Sequence, residues 1–137
     1  MTQRTAAHAL TRSYATMLDP ASLLLVLAGF SLKHALFDFA LQTPWMIQNK
    51  GRYGHSAGLC HAGLHALGSI LVLAVAGVSL TMMLVLAALE CITHYHLDWM
   101  KEQVNARAGW EPTMRAYWVW FGTDQALHHL TYLAMCA

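Results

Sequence analysis

Charge is scarce in this chain. Only 11% of its 137 residues are Asp, Glu, Lys or Arg, while 57% are hydrophobic, against roughly 25% charged in an ordinary soluble domain. A soluble fold needs charge to cover its surface, and this composition cannot supply it. The formal net charge is only +1, with no basic face of the kind that neutralises phosphates, so a nucleic-acid partner is not expected. Cysteine is also sparse. Cys60, Cys91 and Cys136 lie far apart in apolar runs, which excludes a disulfide framework and a C-x-x-C metal site and leaves them as small buried hydrophobes. The three prolines, Pro20, Pro44 and Pro112, fall at segment boundaries. A length of 137 residues allows one domain.

What the chain does have is apolar runs. Residues 1 to 20 form a polar tail or interfacial helix that closes on Asp19-Pro20, a helix-start signal, and lacks the order of a cleaved signal peptide. Residues 21 to 137 then read as an all-α, four-transmembrane-helix bundle, with spans near 21–41, 58–78, 80–100 and 115–137. Gly77 to Thr81 leaves room only for a tight turn, so the second and third spans form an antiparallel hairpin. Tyr117, Trp118 and Trp120 open the fourth span as an interfacial aromatic belt. A soluble bundle is the alternative, and spans two and three, apolar all round over their middle portions, argue against it.

Loops 42–57 and 101–114 fall on one side of the membrane, with both termini on the other. The loop side carries Lys50, Arg52, Lys101, Arg107 and Arg115 against Arg4 and Arg12 opposite. The positive-inside rule makes the loops cytoplasmic and both termini periplasmic, as in a bacterial inner membrane.

Nine histidines in so apolar a chain ask for a reason. Each span carries one ionisable pair four residues apart: His34 and Asp38, His61 and His65, His94 and Asp98, Asp124 and His128. That spacing places two donors on one helix face, one turn apart. The pairs lie late in spans one and three and early in spans two and four, so alternating helix direction brings all of them beneath the same loops. Buried imidazoles and carboxylates are costly unless paired or metal-bound. The set therefore predicts a metal site with His34, Asp38, His61, His65, His94, Asp98, Asp124 and His128 as ligands. A metal-free proton pathway or a structural polar network are the competing readings.

Imidazole and carboxylate without thiolate suit a divalent ion, Zn or Mn first and Fe as a further option. Eight donors exceed the need of one tetrahedral ion, which makes two ions plausible. Glu90, one turn before His94, or Asp38 could act as catalytic base. Gln42, Lys50, Arg52 and His55 are weaker candidates for holding a substrate head group, since cationic loop residues commonly set topology. His96 and His129 fall off the main faces.

The string His34-x-x-x-Asp38-Phe39-x-Leu41-Gln42-Thr43-x-Trp45-Met46-x-x-Asn49-Lys50, followed by His61-x-x-x-His65, His94-x-x-x-Asp98-Trp99-x-Lys101 and Asp124-Gln125-x-x-His128, resembles a family of small bacterial integral-membrane proteins of uncharacterised function, DUF3307. The resemblance covers about residues 30 to 132 and implies no activity. A looser similarity to small membrane proteins described as metal-dependent hydrolases serves as analogy only.

The expectation is a metal-dependent hydrolase of a lipid-linked or amphiphilic ester or phosphoester at the cytoplasmic leaflet. Its partners are the bilayer and that substrate, and an oligomer is compatible with it. A non-enzymatic proton- or metal-handling or partner-binding membrane subunit is the first alternative. An oxidative di-iron enzyme is the second.

Overall fold

The computed structural model describes residues 19–137; the expectations for the tail at 1–18 lie outside them. Helix α1, Pro20–Ala35, starts where Asp19 accepts a hydrogen bond from the Ser22 backbone N–H at 3.0 Å and Pro20 occupies the first turn. It runs into a π-helical turn, Leu36–Ala40, closed by Leu41 N–H donating to the Leu36 carbonyl at 3.0 Å. A short α2, Pro44–Asn49, is capped by Thr43 and lies inside the expected loop at 42–57. That loop is therefore partly helical, because Thr43-Pro44 supplies an N-cap followed by a favourable first residue.

Helix α3, Ser56–Val75, ends in a Schellman motif. Gly77 takes φ +75°, Gly77 N–H donates to Ala74 and Val78 N–H to Leu73, and buried Leu73 and Val78 belong to one apolar cluster. Gly adopts this left-handed conformation without the backbone strain that a side chain would bring. Two residues later α4, Leu80–Ala108, begins under a Ser79 cap. It continues eight residues beyond the expected end at 100. The segment expected as a loop from Lys101 is helical because Lys101-Glu102-Gln103 and the residues up to Ala108 contain no breaker until Gly109, which caps it at φ +63°. Helix α5, Arg115–Met135, completes the chain.

The four long helices pack in a closed ring, α1 on α3, α3 on α4, α4 on α5 and α5 on α1, in up-down-up-down order. Three of them, residues 20–40, 56–75 and 80–108, are long and apolar enough to cross a membrane. Helix α5 is 21 residues long but more polar, and is not among them. The outward faces are apolar: Leu25, Leu71 and Val75 are 74%, 69% and 92% exposed. Cys60 is exposed too, contrary to its expected burial, because the inward face of α3 runs through Ala57, Gly58, His61, Ala62, His65, Gly68 and Ser69.

The interior is divided by height. Toward the α3–α4 turn, Phe30, Leu73, Val78 and Tyr132 form an apolar core, with Phe30 and Tyr132 stacked at 5.0 Å. Toward the other end the buried residues include the histidines, carboxylates and lysines, with Met46, Ala57, Ala62 and Tyr95 among them.

Candidate metal centre

Each pair on a helix face turns inward. His34, His61, His65, His94, Asp98, Asp124 and His128 are all at most 3% exposed, and the Asp38 side chain is 8% exposed. The histidine rings stack across helices, with centroids of His65 and His94 3.9 Å apart and those of His94 and His128 4.2 Å apart. The π-helical turn carries Asp38, and such widened turns recur at functional sites. From there Asp38 Oδ1 lies 3.2 Å from His61 Nε2 and 3.0 Å from His65 Nε2 on α3.

Three groups of donor atoms lie mutually within 4.8 Å: Asp38, His61, His65 and His94; Asp98, Asp124 and His128; and His34, His94 and His128. A tetrahedral ion held at about 2.0–2.1 Å separates its ligand atoms by about 3.3 Å. The Asp38–His61 and Asp38–His65 separations are of that size, as are His61–Asp98 at 3.2 Å, His94–Asp98 at 3.5 Å and His128–Asp124 at 3.5 Å.

Imidazole–carboxylate pairing accounts for these approaches only in part. Among the described residues, Asp38 Oδ1, both ring nitrogens of His65 and His94, Nδ1 of His61 and Nε2 of His128 are buried with no hydrogen-bond partner. Buried polar atoms are rarely left so. Buried donors that converge at ligand spacing while several ring nitrogens lack a partner fit a divalent ion between them.

Asp98 is the most connected group. Its Oδ2 lies 3.2 Å from His61 Nε2, 3.5 Å from His94 Nε2 and 3.1 Å from Lys50 Nζ. Its Oδ1 lies 3.8 Å from His128 Nε2 and 3.5 Å from Lys101 Nζ. One oxygen therefore faces the Asp38 group and the other faces the Asp124 group.

His34 is held differently from the other histidines. Its Nε2 sits 3.1 Å from Gln125 Oε1 and 3.2 Å from Asp38 Oδ2, and its Nδ1 is 3.0 Å from the Tyr132 hydroxyl. Gln125 in turn donates to Asp38 at 3.3 Å and to Asp124 at 3.2 Å, tying the two carboxylates together. Gln42 approaches from the loop, its amide nitrogen 3.1 Å from His61 Nε2, a contact that metal ligation through Nε2 would displace.

A family model described as protein of unknown function (DUF3307) matches residues 25–137. The chain belongs to that family. No curated protein and no solved structure matches it. In this DUF3307 chain the matched region contains every residue of the cluster.

The remaining candidates divide. Glu90 is buried but ion-paired with Lys33, which also donates to Ser69 Oγ at 2.9 Å and to the His65 carbonyl at 3.1 Å. Lys50 is buried on Asp98, whereas Arg52 is exposed. His55 caps α3 by accepting from Ala57 N–H at 3.1 Å. His96 and His129 are exposed. The sequence reading missed Lys33, Lys101, Gln125 and Tyr132 as part of the network. Lys101 donates to Asp124 at 3.2 Å, and a lysine just beyond an apolar run carries the same signal as any topology charge.

Proposed function

We propose that this chain is a four-span membrane protein holding two divalent ions, Zn or Mn, and acting as a metal-dependent hydrolase on a lipid-linked or amphiphilic substrate at the cytoplasmic leaflet. The observation that carries it is the convergence of three Asp and four His from four helices on two donor groups joined through Asp98. One ion would take Asp38, His61, His65 and His94; the other would take Asp98, Asp124 and His128. Bound ions supply Lewis acidity and a water acidic enough to serve as nucleophile near neutral pH.

The chain's own residues do the positioning. His34 and Gln125 orient Asp38, and Gln125 orients Asp124. We assign Glu90 to the charge of Lys33 instead of the base role, because its Oε1 is ion-paired with that lysine. Asp38 is taken as a ligand for the same kind of reason: both its oxygens face imidazoles.

A carrier needs polar steps to both faces. The apolar core of Phe30, Leu73, Val78 and Tyr132 closes the half of the bundle opposite the cluster, which counts against that reading. The test is elemental analysis of the detergent-purified protein beside assays with p-nitrophenyl phosphate and p-nitrophenyl ester substrates. Metal and hydrolysis are expected together in the wild type and lost together in Asp98→Ala. Metal without hydrolysis of any substrate would leave a binding protein.

A further inference from the structure

Two lysines stand where a metal centre would ordinarily exclude them. Lys50, at the C-terminal cap of α2, and Lys101, one turn beyond Asp98 on α4, are 5% and 6% exposed. Both ammonium groups lie within 3.5 Å of Asp98 oxygens, and Lys101 reaches Asp124 as well. They approach from the loop end, opposite the apolar core. Lys50 is fixed there by its neighbours, since Gly51 presents its carbonyl to the Gln103 amide at 2.7 Å.

The charge balance then becomes informative. Asp38, Asp98 and Asp124 carry three negative charges against the two positive charges of Lys50 and Lys101, with Lys33 answered by Glu90. One dication moves this inner set from minus one to plus one, and a second moves it to plus three. Glu102, 4.0 Å from Lys101 and with its side chain 35% exposed, subtracts at most one. Uncompensated charge is expensive in a low-dielectric interior. A neutral ester leaves the excess in place, whereas a phosphate group, with a charge between minus one and minus two near neutral pH, cancels one to two of those positive charges. Phosphate oxygens also suit an ammonium as a point charge.

We infer that Lys50 and Lys101 form the anion-binding side of the metal centre, and that the group it takes is a phosphate, free or at the head of a lipid. This rests on the metal reading above and names its substrate class. The lysines would turn from Asp98 and Asp124 to the phosphate when ions occupy those carboxylates. The competing role is that they only neutralise the carboxylates and leave the site indifferent to anions.

The experiment uses full-length protein in detergent, with Mn content measured first. Micromolar to millimolar inorganic phosphate is added to Mn-loaded and chelator-treated samples, and melting temperature is followed with acetate as the control anion. Phosphate should raise the melting temperature of the loaded wild type only. Lys50→Gln and Lys101→Gln should retain Mn and bind phosphate at least tenfold more weakly. Vesicles of phosphatidylcholine with and without phosphatidic acid separate the sources: preferential binding to phosphatidic acid assigns a lipid head group, and a response to inorganic phosphate alone assigns the free ion. If either variant fails to fold, the loaded wild type still decides, since equal responses to phosphate and acetate overturn the inference. Unchanged phosphate affinity in both folded variants overturns it too. Absence of bound Mn in the wild type would instead defeat the metal reading beneath it.

Discussion

Asp98 on α4 and His61 on α3 meet at 3.2 Å, Oδ2 to Nε2, although 37 positions separate them in the chain. The same Nε2 is 3.2 Å from Asp38 Oδ1 on the π-helical turn. An imidazole nitrogen flanked at ligand spacing by two carboxylates, in the interior of a bundle with an apolar exterior, is the geometry from which the metal account follows.

Removal of ligands should dissect the centre. Asp38→Ala takes a donor from the group with His61, His65 and His94, and Asp124→Ala takes one from the group with Asp98 and His128. Each variant is expected to lose about one ion of two by elemental analysis, and Asp98→Ala both, because its two oxygens face the two groups. Equal residual metal in all three would remove the two-ion assignment.

Gly68 gives a prediction about packing that is independent of metal. A Cβ there would lie 2.2 Å from Phe37 Cε2 and 2.7 Å from Lys33 Cδ, whereas one at Gly63 would meet nothing within 4 Å. Gly68→Ala must displace a ring and the stem of the lysine paired with Glu90, at a cost of about 1–3 kcal/mol. Gly63→Ala should be neutral or stabilising by about 0.5–1 kcal/mol, from helix propensity. Melting curves of the two variants check the difference; similar curves would mean that Lys33 and Phe37 have room to move.

Metal affinity should weaken in acid. Imidazole ligands bind as the neutral base, and the ordinary histidine pKa is about 6.5. Lowering pH through that range adds protons that compete with the ion, so retention during dialysis should fall from pH 7.5 to pH 5.5. Retention that is flat over this interval would argue against histidine ligation.

Orientation can be read with reporters. The lysines and arginines of the two polar segments predict cytoplasmic signals for fusions within 48–55 and 104–110, and a periplasmic signal at the carboxy terminus. A carboxy terminus on the same side as both segments would show that α5 does not span.

The cluster was legible in the sequence because helical spacing places His34 with Asp38 and His94 with Asp98 on single faces, and alternating direction sets their depth. Contacts between helices carry no such local signal. Nothing in the chain order joins Lys33 to Glu90 or Lys101 to Asp124, and Lys101 reads as a topology charge until the helices are packed. The π-helical turn at Asp38 carried no signal in the sequence either. The run through Ala108 shows the opposite case. Its polar composition suggested a loop, but polarity marks exposure, and a helix leaving a membrane becomes polar without ending.

The central claim is that the interior cluster holds metal, and chelation tests it most directly. Protein shown by elemental analysis to contain metal is melted in detergent before chelator, after it, and after Zn or Mn is restored. A ligand present at 100 times its dissociation constant stabilises the native state by about 2.7 kcal/mol. The account predicts a lower melting temperature on removal and recovery on restoration. An unchanged curve, with metal shown to be present before and absent after, would contradict it and leave the buried histidines and carboxylates as a polar network.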